Sequence, residues 1–509
     1  MIARYVSLTF AILHLGECAK ILAIVPVPSY SHHQLFNPIW KELSLRGHQV
    51  TTLTAFPMKD PQLTNLTEID LSSSEQIWRE GMTEIIKHRQ SLLSYHSITN
   101  ILFHILEEQL NHPDVQALIN GDGVHFDLVI AEHYLTTMFA FSYKFNCPLI
   151  GVWSMDLPNF KHRVVGNPYN PVVYPDYFLP FEVPMTTKER IASITFSLAT
   201  YIYSKFVDKW EQDIIYKYFG NNYPSVEDLS RNLSLVFINS HPALNTIRPK
   251  APSVIEIGGA IHYSPPRPLP KDLEKILNNS NGFIYFSLGT NVRSADMSDA
   301  TKTAIMEVFA ELPYIVLWKH DLDDVPNKTS NVFTSKWWPQ RDLFNHPKIK
   351  LFITHGGIQS INEAIFAHVP LLGVPYFADQ PANVQKMVTR GCGLFVDIEN
   401  LDKEHFKRTI LEVINNPRYK KKVEELANLA TDQPTTILER VVWWTEYVLR
   451  HKGAKHLRSP SLDIPLYQYF LLDIIAATLL ILIIIFCVVY YFVTGIVHFR
   501  VFKTKSKSE

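Results

Sequence analysis

Short apolar runs alternate with amphipathic stretches from residue 20 onward. KILAIVPVP predicts a buried strand, SYSHH a polar turn, QLFNPIWKELSLRGH a helix, and QVTTLTAF a second strand. This β-α-β order is typical of a parallel, doubly wound α/β sheet. The same pattern predicts strands at 126–132, 147–153 and 233–240, and a long helix at 186–220.

A proline-rich passage, SPPRPLPKD at 264–272, interrupts this alternation. Proline fixes the backbone and donates no hydrogen bond, so the passage is interpreted as a linker. The alternation then restarts with GFIYFSLGT, a helix over about 299–312, YIVLWKH, NVFTSKWWP, KLFITHGG and PLLGVPYF. Two successive α/β halves predict two Rossmann-like domains that face a ligand cleft at the carboxyl ends of their strands.

Apolar segments also occur at both ends of the chain. Residues 1–19 carry one arginine, an apolar run and then small residues, as secretory signal peptides do. Residues 474–497 contain no charge and, at about 1.5 Å per residue, form a helix of about 36 Å, which is long enough to cross a bilayer. The basic tail that follows ends in KSKSE, a form of endoplasmic reticulum retrieval signal; a plain stop-transfer cluster is the alternative. We therefore expect a single-pass type I protein of the endoplasmic reticulum membrane with a lumenal body.

Composition excludes several other classes of protein. The chain has 48 basic and 49 acidic residues, which leaves no net field to attract a nucleic acid. Of its four cysteines, only Cys147 and Cys392 fall in the body, too few for a disulfide framework. Glycosylation triplets begin at Asn65, Asn232, Asn278 and Asn327.

A polar corner follows the strand KLFIT. His355-Gly356-Gly357 predicts a turn, and residues 359–367 predict a helix. Glycines let the backbone approach a ligand closely, and the amides at a helix start favour an anion. A lone His-Gly-Gly is more often a plain turn, but here the neighbouring residues favour a diphosphate site.

The polar side chains around this corner are spaced for a nucleotide sugar. His355, Gln359 and Glu363 recur every four residues, which predicts one helix face with Glu363 placed to accept two ribose hydroxyls. Asp379 and Gln380 follow the next predicted strand and so emerge at the same sheet edge, where an acid and an amide can hold sugar hydroxyls.

Several longer motifs resemble the UDP-glycosyltransferase family of membrane-bound detoxification enzymes. They are FSLGTNV, KWWPQRDLFNHP, FITHGG, NEAI and GVPYFADQPANV, with RGHQVTTL, DQP and RHKGAKHLR further away. The resemblance covers nearly the whole chain. It implies the GT-B fold, transfer of a hexose from a UDP-sugar with inversion, and no metal or other cofactor.

The same resemblance assigns roles in donor binding. Gln359 stands where mammalian relatives commonly have asparagine. The implied roles are uracil stacking for Trp337, a nucleoside hydrogen bond for Gln340, a place near the phosphates for Ser287 and Thr290, diphosphate binding for His355, Gly356, Gly357 and Gln359, ribose binding for Glu363, and sugar binding for Asp379 and Gln380.

The general base of the family is the histidine of a Ser-His pair after the first strand. That pair is Ser31-His32 here, and the adjoining His33 is the alternative. An imidazole titrates near neutral pH and can take the proton of an acceptor hydroxyl. Glu132 stands where the family has an aspartate that pairs with this histidine, and Asp127 is a less favoured partner.

The resemblance also fixes the expected organisation and partners. The partners are a UDP-sugar, a small lipophilic acceptor and the lipid bilayer, with no nucleic acid, and homo- or hetero-oligomers are left open. The expected boundaries are 1–19 for the signal peptide, 20–263 for the acceptor-binding domain, 264–272 for the linker, 273–449 for the UDP-sugar-binding domain, 450–473 for a juxtamembrane segment, 474–497 for the transmembrane helix and 498–509 for the tail.

Alternatives to a glucosyltransferase stay open on sequence. Residues 29–51 are similar to arthropod members, which mostly use UDP-glucose, whereas vertebrate relatives mostly use UDP-glucuronate. Because Glu132 and Gln359 differ from the residues common in the family, a non-catalytic binding protein of the same fold is an alternative. A nucleotide-sugar epimerase of the same fold is a less favoured alternative. The Asp-x-Asp pattern at 321–323 is interpreted as a solvated turn rather than a metal site.

Overall fold

A computed structural model describes residues 18–505, apart from 88–90, 260–265, 323–324 and 326–327. Almost all of the expected signal peptide, the start of the linker and residues 506–509, which hold most of the retrieval signal, lie outside the described residues. Asp323 and Asn327 lie outside them as well. The chain divides into two units, one up to Arg458 and one from Ser459, and each is described by itself.

The N-terminal half of the first unit, residues 20–259, is built on a parallel sheet. Within its described residues the sheet has seven strands in the order β3-β2-β1-β4-β5-β6-β7. β1 lies between β2 and β4, with Ile21 opposite both Val50 and Leu128. The strand order therefore reverses beside β1, which opens a crevice at the carboxyl end of that strand. The strands are β1 (Lys20–Val25), β2 (Gln49–Thr54), β3 (Leu66–Asp70), β4 (Leu128–Glu132), β5 (Leu149–Trp153), β6 (Leu233–Ile238) and β7 (Val254–Glu256).

Helices cover both faces of this sheet, and so its central strands are apolar throughout rather than alternating. The helices are α1 (Tyr30–Leu45), α2 (Ser74–Lys87), α3 (Ser91–Leu110), α4 (Pro113–Asn120), α5 (Ala140–Lys144), α6 (Asn159–Val164), α7 (Thr187–Phe219) and α8 (Val226–Arg231).

The C-terminal half, residues 266–431, repeats this plan. Its described strands form a six-stranded parallel sheet in the order β10-β9-β8-β11-β12-β13. The order reverses between β8 and β11, so a second crevice opens there. The strands are β8 (Phe283–Ser287), β9 (Ile315–Lys319), β10 (Val332–Ser335), β11 (Ile349–Thr354), β12 (Leu371–Gly373) and β13 (Gly393–Phe395); the helices are α9 (Lys271–Asn278), α10 (Asp299–Ala310), α11 (Gln340–Phe344), α12 (Ile358–Phe366), α13 (Gln380–Thr389), α14 (Lys403–Asn415) and α15 (Pro417–Thr431).

Two elements differ from the sequence-based expectation. α1 begins at Tyr30 after an extended Ser29, so the SYSHH segment expected as a polar turn forms the first helical turn. Helix α16 (Ile437–Arg450) falls in the range expected for the second domain, yet Ile437, Val441 and Val448 pack in the core of the N-terminal half. Periodicity predicts that a helix has an apolar face but not which sheet the face will cover.

The second unit consists mainly of apolar helix. It contains α17 (Leu466–Tyr469) and α18 (Leu472–Lys505). Among the described residues, Leu472–Arg500 is the candidate membrane span, with a mean hydropathy of 3.1 over its most apolar window and no part of that window buried. This helix contains the 474–497 segment predicted from the sequence.

Candidate active site

A cavity of about 960 Å³ lies between the carboxyl ends of the two sheets. Side chains of both halves line it, including His32 from the N-terminal half and His355 from the C-terminal half. Apart from Glu132 and Gly356, all the residues predicted for the site line this cavity, namely His32, Ser287, Thr290, Trp337, Gln340, His355, Gly357, Gln359, Glu363, Asp379 and Gln380.

His32 is held by a carboxylate from the neighbouring strand. It lies in the first turn of α1, and its Nδ1 is 2.6 Å from Oε1 of Glu132 at the end of β4. Glu132 is only 1% exposed, so it makes this contact without competition from water. A carboxylate only accepts, so Nδ1 carries the proton and Nε2 is the basic nitrogen. Asp127, the less favoured partner, lies just before β4, at the other end of the strand, and accepts from the backbone N–H of Lys20.

His33, in contrast, is bound into the core. Its Nε2 is 3.1 Å from the carbonyl oxygen of Val27, and its Nδ1 is 2.8 Å from Oγ1 of Thr54. Burial lowers the pKa of His33 to about 3, and His33 is not among the residues that line the cavity. Of the two adjacent imidazoles, His32 is therefore the one placed to act on a ligand.

Close approach of backbone explains the glycines around His355. Gly289 has φ +76°, and a Cβ there would lie 2.5 Å from the His355 ring. Gly356 has φ +93°, and its Cβ would lie 2.5 Å from Val384. Both positions therefore need glycine for conformation as well as for space.

His355 lines the cavity as a neutral imidazole. Burial, with a smaller contribution from the Lys319 cation, lowers the pKa of His355 to about 3. Within the described residues its Nδ1 is buried without a hydrogen-bond partner. His355 precedes α12, which begins at Ile358, so the predicted shared helix face holds for Gln359 and Glu363 but not for His355.

Lys319 was not identified from the sequence. It ends β9, lines the cavity, and donates from Nζ to the carbonyl oxygen of Gly289 at 2.6 Å. Its Nζ lies 4.9 Å from the centre of the Trp337 ring. Burial lowers the pKa of Lys319 to about 8. The lysine before the final histidine of YIVLWKH was the sequence feature that could have revealed it, because a charge at the carboxyl end of a buried strand faces the crevice.

Polar groups deeper in the cavity are arranged as hydrogen-bond partners. Gln340 donates from Nε2 to Oε2 of Glu363 at 2.7 Å, and burial raises the pKa of Glu363. Asp379 accepts from Nδ2 of Asn383 at 2.6 Å, and burial raises its pKa too. The side-chain oxygen of Gln380 accepts two backbone N–H groups, so its amide nitrogen is the part left for a ligand.

Side-chain hydrogen bonds of Gln359 and Asn291 connect the halves across the cavity. Gln359 donates from Nε2 to the carbonyl oxygen of Ser154 at 2.9 Å. Asn291 donates to Oγ of Ser29 at 3.4 Å and accepts from the Trp78 indole at 3.2 Å. Neither contact was predicted, because a sequence pattern does not indicate which residues meet across a cleft.

The described residues contain no group of three or more His, Cys, Asp or Glu side chains arranged to hold a metal ion. In the Asp-x-Asp pattern, Asp321 accepts a hydrogen bond from the backbone N–H of Ala295 at 3.3 Å. This contact places Asp321 in a loop, and Asp323 lies outside the described residues.

Comparison with known proteins gives one consistent result. The sequence model of the family described as "UDP-glucoronosyl and UDP-glucosyl transferase" matches residues 19–508. UDP-glucosyltransferase 2 of Dactylopius coccus is 34% identical, over 96% of this chain and 95% of the relative. UDP-glucuronosyltransferase 2B33 of Macaca mulatta is 30% identical, over 90% of each chain.

Solved structures share the fold at lower identity. The spinosyn forosaminyltransferase SpnP has a TM-score of 0.55 at 14% identity and covers 85% of this chain and 99% of its own. The glycotransferase of kitacinnamycin has a TM-score of 0.51 at 18% identity and covers 86% of this chain and 99% of its own. Both are sugar transferases by name, and the shared architecture is the GT-B fold.

Proposed function

Because the chain belongs to the UDP-glucoronosyl and UDP-glucosyl transferase family and is a UDP-glycosyltransferase, we propose that it moves glucose from UDP to a hydroxyl of a small lipophilic acceptor. The observation that carries this proposal is the His32–Glu132 pair, which faces the nucleotide-binding corner across a single cavity. The sugar carbon and the acceptor oxygen would meet between them.

His32 would act as the general base. Its Nε2 takes the hydroxyl proton as the acceptor oxygen bonds to the anomeric carbon, while the bond from that carbon to the UDP oxygen breaks and UDP leaves with the electron pair. The resulting imidazolium is stabilised by the Glu132 carboxylate at 2.6 Å. The longer glutamate side chain thus reaches the ring as closely as a hydrogen bond allows. A single displacement of this kind inverts the anomeric carbon.

The C-terminal half would hold the donor. Trp337 is 54% exposed and offers a ring face for uracil, and Glu363 can exchange its bond from Gln340 for ribose hydroxyls. The diphosphate would bind at the amino end of α12, against the Lys319 cation and the His355 ring. A cation beside the leaving diphosphate stabilises the charge that develops there. Asp379 and Gln380 would bind sugar hydroxyls, and no further cofactor is proposed.

Glucose is preferred over glucuronate because the relatives from Dactylopius coccus are the more similar ones, and one of them is named a UDP-glucosyltransferase. The candidate span and the relatives fit a membrane-anchored protein. We place the protein in the endoplasmic reticulum membrane with its body in the lumen, on the basis of the signal-like N-terminus and the basic tail.

The test is product formation by membranes that contain the chain, supplied with a simple phenol and either UDP-glucose or UDP-glucuronate. A glucoside formed only from UDP-glucose is the expected result. Formation of a glucuronide would support sugar transfer but would show that the donor is UDP-glucuronate rather than UDP-glucose. Measurable UDP binding without product from either donor, across a panel of phenols and aliphatic alcohols, would contradict transfer and favour a binding protein.

Lys319 gives the site a defined dependence on pH. Its pKa of about 8 means that the cation is present below about pH 8 and is lost above it. The affinity for UDP should therefore fall as pH rises from about 7 to about 9, and that for uridine should not. Calorimetric titration measures both. Lys319→Met should weaken UDP binding at pH 7 and remove this pH dependence. If the affinity of the variant for UDP still fell with pH as it does in the unaltered chain, Lys319 would be excluded as a phosphate partner.

A further inference from the structure

The side chain of Gln359 connects the two halves of the protein. The side chain leaves α12 in the C-terminal half, and its Nε2 donates to the carbonyl oxygen of Ser154 in the N-terminal half at 2.9 Å. Asn239 donates from Nδ2 to the same carbonyl oxygen, also at 2.9 Å. A carbonyl oxygen has two lone pairs, so both are used, one by each half of the protein. The backbone at Ser154 is thereby fixed from both sides.

The side chain of Ser154 touches the proposed base. Its Oγ lies 3.1 Å from Nδ1 and 3.2 Å from Nε2 of His32. One oxygen this close to both nitrogens limits the rotation of the ring. Ser154 is 1% exposed, so its own position is set by protein contacts rather than by solvent.

These contacts form a continuous chain from the donor-binding half to the base. We propose that Gln359 is a positioning residue that aligns His32 through Ser154 when the two halves are closed. The inference rests on the proposed function, since it gives His32 the role of base. Its consequence is that the base is fully aligned only when the half that binds the UDP-sugar is docked against the half that carries His32.

The length of the side chain decides whether this contact exists. Gln359→Asn removes one methylene, about 1.5 Å of reach, which takes a 2.9 Å hydrogen bond beyond its normal range while keeping the amide. Ser154→Ala has the complementary effect, because it keeps the carbonyl oxygen that accepts from Gln359 and removes the oxygen that touches His32. The two variants therefore cut the chain of contacts at different points.

Kinetics of the full-length enzyme separate positioning from phosphate binding. Gln359→Asn should lower kcat about tenfold, the value of one ordinary hydrogen bond, with the Kd of UDP changed less than about twofold. In the Ser154→Ala background the same substitution should lower kcat less than about twofold. A raised Kd of UDP with unchanged kcat would show a phosphate ligand instead. An equal loss of kcat in both backgrounds would also overturn the proposal.

Two controls isolate the effect. Gln385→Asn makes the same chemical change on α13, where the side chain of Gln385 donates to Thr389 of the same helix, and it should leave kcat unchanged. Asn291→Ala removes a different hydrogen-bonded connection between the halves without touching Ser154. The loss of activation free energy caused by Asn291→Ala should add to the loss caused by Ser154→Ala. Additivity would distinguish alignment of His32 from closure of the two halves in general.

A measurement without turnover keeps this inference separate from the proposed function. Diethyl pyrocarbonate modifies neutral imidazoles, and peptide mass spectrometry distinguishes His32 from the buried His33, which serves as the internal reference. Gln359→Asn and Ser154→Ala should each increase the modification rate of His32, because each frees the ring. An unchanged rate would refute the positioning role, whether or not the chain transfers sugar.

Discussion

Replacing His32 by alanine is expected to lower kcat by about 10²- to 10⁴-fold and to leave the Kd of UDP unchanged. The substitution removes the proposed base, whereas the groups proposed to bind UDP belong to the C-terminal half. The measurement is initial-rate kinetics with saturating UDP-sugar, together with calorimetric titration of UDP. Glu132→Gln should also lower kcat strongly, because a neutral amide cannot stabilise the imidazolium at 2.6 Å.

Matched variants define what these losses mean. Glu132→Asp shortens the partner but keeps its charge, and it should retain more activity than Glu132→Gln. His405→Ala removes an exposed histidine on α14 and should have no effect on kcat. Normal turnover in His32→Ala would remove His32 from the mechanism. A loss of UDP affinity equal to the loss of kcat/KM would indicate instead that the substitution had disturbed the whole cavity.

Replacing Trp337 by alanine is expected to raise the Kd of UDP by about 5- to 150-fold, the range of about 1 to 3 kcal/mol measured for a base stacked on an aromatic ring. Trp337 is 54% exposed and touches Lys319 and Tyr30 in the cavity, so its removal leaves little buried void. The loss should therefore appear in binding rather than in stability. Titration of UDP, with thermal unfolding in parallel, measures both.

Aromatic substitution at the same position sharpens this test. Trp337→Phe keeps a ring and should lose less affinity than Trp337→Ala. Trp443→Ala removes a comparably exposed tryptophan that does not line the cavity, and it should bind UDP normally. If Trp337→Ala bound UDP as tightly as the unaltered chain, the uracil would have to lie elsewhere.

The fold could be predicted from the sequence because most of the central parallel strands are largely apolar runs of five or six residues, a pattern that leaves little choice of structure. Phe283–Ser287 and Ile349–Thr354 are examples, and polar residues follow both at the sheet edge where the cavity lies. His355 and Gln359 could be located for the same reason. Their surroundings come from strands adjacent in space, which explains why Lys319 was missed.

Contacts between the two halves were beyond prediction. The family resemblance implied a phosphate contact for Gln359, and in the structure its amide reaches Ser154, more than 200 positions earlier in the chain. The start of α1 was misplaced because Ser31, His32 and His33 are polar, and polarity at a helix start resembles a turn. In the structure this first helical turn aims His32 at the cavity.

The most direct test of a single displacement assisted by His32 is the configuration of the product. The chain is incubated with UDP-glucose, in which the sugar is α-linked, and a phenol, and the anomeric proton of the product is examined by NMR. A β-glucoside, absent with His32→Ala, is the predicted result. An α-glucoside, or release of free glucose without any glucoside, would contradict a base that activates the acceptor for direct attack.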